Sequence, residues 1–405
     1  MKRRYVRVID ATNRGEAVVA EGASYSTLHL PDCISAEIGD ILALEVGPEQ
    51  DVVRTELVAR PTLPFDPEGD GLRWRRPGEA LQRMRRLELR HVAMRAIRDY
   101  FDSQGFIEVY APLMIRGTCP DLHVDSFELV AGYLTTSTEY QIKRMVVGGF
   151  ERIYTLGANF RPNESSERHN PEFTMLEWAR VGASLRDIEK DAELLTRAAA
   201  AAVRAACDHD AIQQATEPFL AAEWRRVTVR QALHEVLGVV ADNRFSHDML
   251  RAEASRLGLD VPEQIAADRG DLLSHLIDLA QGALGHDVPV FLTEWPVSMT
   301  ASAASKAGMP ELADRTELVI RGLELSDGFP WVGDGTRQKV LFDEALDLRR
   351  SAGKPQVVLD DRYVAALHQG IPPGAGMALG VDRLMMSLLA ASSIRDVVAF
   401  VWDEV

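Results

Sequence analysis

Cysteine is scarce in this chain: Cys33, Cys119 and Cys207 are its only three in 405 residues. They lie far apart and make no metal-ligand spacing, which argues against a disulfide framework or a zinc site and fits a reducing cytoplasm. Long apolar runs are also missing. Met1-Lys2-Arg3-Arg4 begins like a signal peptide, but Tyr5-Val6-Arg7-Val8-Ile9-Asp10 carries charges where an apolar core is needed. No uninterrupted apolar stretch approaches membrane-spanning length, so neither secretion nor a membrane span is expected. Positive charge is outnumbered, with 45 Lys and Arg against 61 Asp and Glu, and the formal charge is −16. That balance disfavours broad attraction to nucleic acid, although a local basic stripe could survive it.

What is present is apolar content enough for more than one core: 46% of 405 residues points to two domains. Residues 1–62 read as short strands (Tyr5–Val8, Glu16–Val19, Ser26–Leu30, Ile41–Val46 and Thr55–Ala59) separated by turn residues, a pattern suited to a small five-stranded barrel. Residues 63–80, rich in Pro and Gly, read as a linker. From residue 81 the chain reads as one larger α+β domain. A helical pattern through Leu87–Ser103 stops at Gly105 before the strand-like run from Phe106 to Pro112. Residues 185–285 look like a helical insertion.

Two segments carry the chemistry. The first runs from Phe160 to Glu177 and holds Arg161, Glu164, Arg168, His169, Phe173 and Glu177. The second is Gly376-Met377-Ala378-Leu379-Gly380-Val381-Asp382-Arg383, an apolar strand bracketed by glycines and followed by an arginine. Taken singly, each residue is an ordinary surface arginine or core phenylalanine. The spacing Arg-x6-Arg-His-x3-Phe, followed much later by Gly-x3-Gly-x2-Arg, sets them apart. Arginine suits phosphate and carboxylate because its planar fork binds both bidentately and keeps its charge at any working pH. Gly374 to Gly380 is not a dinucleotide loop, since no βαβ unit or ribose-binding acid follows it.

These segments resemble motifs 2 and 3 of class II aminoacyl-tRNA synthetases, and the Leu87–Pro112 pattern resembles motif 1. From about residue 80 onward the chain is similar to lysyl-tRNA synthetases, and most of all to the shortened lysine ligases that modify elongation factor P. The shared phrases include Glu139-Tyr140-Gln141-Ile142-Lys143-Arg144, His169-Asn170-Pro171-Glu172-Phe173-Thr174 and Ala378-Leu379-Gly380-Val381-Asp382-Arg383. The resemblance implies an antiparallel catalytic sheet with flanking helices, preceded by an OB-like β-barrel, in a homodimer joined through motif 1. It implies ATP and Mg2+ as cofactors.

By the same resemblance, Arg161 bridges the α-phosphate and the substrate carboxylate, and Arg168 and His169 reach the γ-phosphate. Phe173 and Arg383 flank adenine, with Glu164 near it, displaced by one residue because Asn163 holds the usual glutamate position. Glu317 and Glu324 align with magnesium ligands. Their odd separation requires a turn at Arg321-Gly322 to bring them together. Glu139, Glu177, Asp327, Phe329, Trp331 and Ala378 fall in the amino-acid pocket, Glu139 near the α-amino group and Glu177 near the distal ammonium of lysine.

That pocket departs from the family. Trp331 stands in place of a second glutamate, Ala179 in place of a tyrosine, and Asp327 in place of an asparagine. Ala378 occurs where the elongation factor P ligases also have alanine. Ordinary lysine is therefore disfavoured, because a buried ammonium short of partners is costly. Asp327 either faces a substrate amine or leaves the carboxylate to bind elsewhere, and Trp331 can close a pocket, stack on a cation or turn away. The sequence reads as an ATP-dependent ligase that forms an aminoacyl-adenylate and passes it to a protein or carrier. The alternatives are a shortened lysyl-tRNA synthetase charging tRNA and a catalytically silent paralogue that regulates a partner.

Overall fold

The structure is a computed structural model and describes residues 2–12, 15–22, 24–64, 66, 82–221, 223–300 and 302–405. The chain divides into two compact units, Met1–Glu88 and Leu89–Val405.

The first unit is built on strands β1 (Lys2–Thr12), β2 (Glu16–Glu21), β3 (Ser24–His29), β4 (Ile41–Val46) and β5 (Val52–Ala59). They form an antiparallel sheet in the order β3-β2-β1-β4-β5. The register slips between Val8 and Asp10, a bulge that bends the long β1 so that it can pair with both β2 and β4. Val6, Val8, Val19, Leu42 and Leu44 make its core. All five strands predicted from turn punctuation are present. The closed barrel is not: among the described residues β3 and β5 are unpaired edges, leaving an open sheet. Both edges are mostly exposed along their length, so little apolar surface is available to drive closure. Of the linker, Pro64 lies in irregular chain, while Pro67, Gly69, Gly71 and Pro77 fall outside the described residues.

Next come α1 (Arg83–Ser103), which ends as read before Gly105 with φ +72°, and β6 (Ile107–Glu108), a shorter strand than the sequence suggests. A small sheet follows, of β7 (Met114–Ile115), β8 (Glu128–Leu129) and β9 (Gly132–Leu134). Then come α2 (Glu139–Val147), β10 (Arg152–Phe160) and β11 (Glu172–Val181). The 185–285 segment holds α3 (Leu185–Ala206), α4 (Asp210–Leu220), β12 (Arg225–Thr228), α5 (Val229–Ala232), α6 (His247–Leu257), α7 (Glu263–Ala266) and α8 (Arg269–Gly282). The chain closes with β13 (Val290–Pro296), β14 (Ser305–Lys306), β15 (Met309–Ile320), β16 (Leu323–Pro330), α9 (Gly335–Ser351), α10 (Asp361–Leu367), β17 (Gly374–Gly380) and α11 (Val381–Leu388).

The large sheet runs β12-β13-β15-β16-β17-β11-β10-β6, with β14 on β15. It is antiparallel except at its two ends, where β12 pairs parallel with β13 and β6 parallel with β10. The fold is therefore mixed α+β, with a mixed rather than wholly antiparallel sheet. The helical reading of 185–285 also missed β12, four residues of which only Val227 is buried, too little to signal a strand.

One face of this sheet is covered by helices. Trp178 and Tyr154 point to it and meet Phe101 of α1, with Tyr154 and Phe101 stacked at 4.4 Å. The opposite face is covered only toward its corners. Helices α5, α6 and α8 pack a core onto β12, β13 and β15 through Leu272, Leu276, Val290, Leu292 and Val319. Helices α2, α9 and α10 pack onto Ile153, Ala179 and Trp331. The strands between those two cores carry the site.

Candidate active site

Strand register places the site residues in rows. Directly opposed residues on neighbouring strands share a face, so Thr155, Glu177, Ala378, Asp327 and Glu317 form one row across β10, β11, β17, β16 and β15. Two residues along each strand, Ile153, Ala179, Gly376, Phe329 and Arg315 form the next row on the same face. Residues about two hundred positions apart thus meet on one surface.

The β15–β16 hairpin turns at Arg321 and Gly322, with φ +52° and +71°, the two-residue turn expected there. Beyond it the register is irregular: Glu317 opposes Asp327, but Val319 opposes Glu324, leaving Leu325 as an extra residue. This bulge turns Glu324 onto the face that holds Glu317. Arg315, on the same face, donates to Glu317 Oε1 at 2.7 Å and to Asp327 Oδ1 at 2.8 Å, with its guanidinium 4.4 Å from the Trp295 ring. Burial works against the charge on Arg315, but Asp327 and Glu317 outweigh it and hold its pKa above the ordinary value. Burial and the neighbouring Glu324 push Glu317 well above the usual carboxylate range. Asp278 of α8 is also raised, by burial and then by Glu324.

Among the described residues no three His, Cys, Asp or Glu side chains cluster closely enough to hold a metal ion. A magnesium ion usually arrives with phosphates and takes only one or two carboxylates. Glu317 and Glu324 fit that role, and the mutual repulsion that raises Glu317 is what a cation would relieve.

Arg161 follows β10 directly. Its amide donates to the Pro171 carbonyl at 2.9 Å, its Nη1 to Glu164 Oε1 at 3.2 Å, and its guanidinium lies 5.3 Å from the Phe173 ring centre. The Arg161 Nε is buried with no hydrogen-bond partner, a donor awaiting an acceptor. Arg383, at the start of α11, donates from Nη1 to the Glu324 carbonyl at 2.9 Å and from Nη2 to His169 Nε2 at 2.5 Å. His169 has its pKa lowered by burial and then by Arg383, so it is neutral. Its Nε2 accepts from Arg383, and its Nδ1 is then the N–H that donates to Ser166 Oγ at 2.9 Å. Arg168 is exposed on the same loop, and Asn163 donates to Asp125 rather than entering the site.

At the other end of the face, Glu177 is buried and accepts from Ser137 Oγ at 2.5 Å, from the Thr138 amide at 2.5 Å and from the Thr138 hydroxyl. Burial still raises its pKa against those bonds. Glu139 opens α2 and pairs with Lys143, whose Nζ lies 5.3 Å from the Phe329 ring centre. Trp331 is buried among Ala179, Ile153, Tyr140 and Phe342, and its indole N–H donates to the Pro372 carbonyl at 3.0 Å. Its ring packs on Gly374, at the end of the same sheet face. Asp327 faces Arg315. Sequence reasoning missed Arg315, Lys143, Ser137, Thr138 and Asp278. Two of them carried a signal: Arg315, two residues before Glu317 and so on the same strand face, and Lys143, four residues after Glu139 on a helix.

Residues 75–404 match the family described as tRNA synthetases class II (D, K and N). An elongation factor P (R)-beta-lysine ligase of Vibrio vulnificus is 32% identical over 336 residues, covering 80% of this chain and 97% of that protein. A lysine–tRNA ligase of Carboxydothermus hydrogenoformans is 32% identical over 320 residues, 77% of this chain but 64% of its own length. A lysine–tRNA ligase of Haemophilus influenzae is 30% identical over 426 aligned positions, 98% of this chain and 84% of that protein. The chain belongs to the class II tRNA synthetase family (D, K and N) and is a ligase of the class II aminoacyl-tRNA synthetase type.

Proposed function

We propose that the protein uses ATP to convert an amino acid into its aminoacyl-adenylate and transfers the aminoacyl group to a protein or carrier. The observation that carries this reading is the buried, partnerless Nε of Arg161 on the same side of the sheet as the Glu317–Glu324 pair. In the reaction the amino-acid carboxylate attacks the α-phosphorus and pyrophosphate leaves. The protein's task is to align two anions and offset their charge. Arg161 bridges α-phosphate and carboxylate, Phe173 offers a face to adenine beside Arg383, and His169 and Arg168 reach the outer phosphates. Glu317 and Glu324 would hold the magnesium that comes with ATP, which would offset phosphate charge. On binding nucleotide, Arg383 exchanges His169 for the ligand.

The first unit bears on the acceptor. Three of its described arginines pair with acids: Arg3 with Glu56 at 3.0 Å, Arg54 with Glu45 at 3.8 Å, and Arg4 with Glu21. Each such pair reduces the positive field offered to a phosphate backbone, which favours a protein or carrier acceptor. The relatives' names offer lysine or β-lysine as first candidates and elongation factor P or tRNA as acceptors. A tRNA acceptor is the second reading, favoured by the Haemophilus alignment, which runs through 98% of the chain. Incubating the adenylating protein with total tRNA and, separately, with purified elongation factor P tests the choice. Label on the protein supports the first reading, and charging of tRNA at a normal synthetase rate overturns it.

Exposed Ile107 and Tyr110 lie in the segment that resembles motif 1, with exposed Leu113 and Met114 just after it, and they support a homodimer through that edge.

A further inference from the structure

Resting on that reading of the site, we propose that the amino acid it selects carries a single ammonium and a compact uncharged side chain, and that Trp331 enforces this choice. The argument begins with the floor beyond Ala378. It is made of Gly374, Gly376 and Ala179, residues with almost no side chain, and the Trp331 indole lies directly on it. A Cβ added at Gly374 would stand 2.4 Å from the ring. The ring is fixed by its bond to the Pro372 carbonyl and by Ile153, Tyr140 and Phe342 around it. The far end of the site is therefore closed by an apolar wall rather than by a polar group.

Charge counting leads to the same conclusion. Lys143 offsets Glu139, and Arg315 offsets one of Asp327 and Glu317. Both oxygens of Glu177 are engaged by Ser137 and Thr138. Glu139 and Asp327 keep partly exposed side chains, at 26% and 33%, and can share one α-ammonium between them. A second ammonium, as in lysine or β-lysine, would face the indole and find only Glu177, three of whose acceptor positions are already taken by Ser137 and Thr138, to receive it. Desolvating it there with one already engaged partner is unfavourable. A compact neutral side chain would instead lie against Phe329, Trp331 and Ala179.

The test uses the full chain and non-reactive conjugates in which alanine, valine, leucine or lysine is joined to adenosine through a sulfamoyl group. Their affinities are compared with adenosine 5′-sulfamate by calorimetry. The expected result is that at least one neutral conjugate binds about tenfold or more tighter than the lysyl conjugate. Trp331→Glu should then shift that ratio about tenfold toward lysine, with circular dichroism confirming its fold. The lysyl conjugate binding tightest to the unaltered protein overturns the inference and leaves the adenylating reading intact. No conjugate exceeding the sulfamate overturns both. Should Trp331→Glu fail to fold, the ranking for the unaltered protein and for Trp331→Phe decides the matter, since Phe keeps the wall and must keep the preference for a neutral conjugate.

Discussion

Glu324 shares a sheet face with Glu317 because Leu325 is an extra residue in the β15–β16 register. In an unbulged hairpin, Glu324 would point to the opposite face. The bulge therefore makes the carboxylate pair, which in the proposed reaction would hold a cation that comes with phosphates. Replacing Glu317 or Glu324 by Gln should lower ATP–pyrophosphate exchange by about a hundredfold or more. The magnesium concentration for half-maximal rate should rise as well. Exchange that is unaffected, with an unchanged magnesium requirement, would remove the pair from the chemistry.

Arg161 offers both a charge and an unpaired buried Nε. Arg161→Ala should reduce exchange by roughly two orders of magnitude or more. Arg161→Lys should recover little of it, because an ammonium cannot reproduce the bidentate fork. Thermal unfolding should move little in either variant, since Arg161 is partly exposed and its one ion pair, with Glu164, is local. A large loss of stability with catalysis retained would mark Arg161 as structural.

His169 titrates below its ordinary pKa because of burial first and Arg383 second. The unfolded chain then binds its proton more readily than the folded one, so stability rises with pH across the interval below about 6.5. Stability from this residue is present above that value and is lost as pH falls toward the folded pKa. Cooling the comparison to one residue, the melting temperature of the unaltered protein should fall more between about pH 7.5 and 5.5 than that of His169→Gln. Equal pH dependence in the two proteins would contradict this assignment.

Gly374 has no room for a methyl group, since the Trp331 ring and the Arg180 carbonyl occupy the position its Cβ would take. Gly374→Ala should cost about 1–3 kcal/mol in denaturant unfolding by overpacking. Pairing it with Trp331→Leu should restore part of that loss, because the smaller side chain yields space. No recovery in the double variant would show that the strain lies with the Arg180 backbone instead.

Much of this site was legible in the sequence, and the reasons are local. Gly376 to Gly380 read as a strand because glycines bracket an apolar run, and it lies within β17. Arg321-Gly322 read as a turn because two carboxylates at odd separation needed one. What escaped depends on contacts between distant segments. Nothing near Asp327 shows that Arg315 receives it across the hairpin, and nothing near Trp331 shows that Ala179 and Gly374 leave a bed for its ring. The first unit was read as a barrel because its five strands are evenly punctuated. Whether an edge closes depends on apolar surface at β3 and β5, which turn spacing does not report.

The most direct measurement is amino-acid-dependent ATP–pyrophosphate exchange by the purified chain over a panel that includes lysine, β-lysine, other diamino acids and neutral amino acids. Exchange that depends on magnesium, requires one amino acid of the panel and is lost in Arg161→Ala is the predicted result. ATP binding with no exchange for any amino acid would contradict it and favour a silent paralogue that binds nucleotide without turning it over.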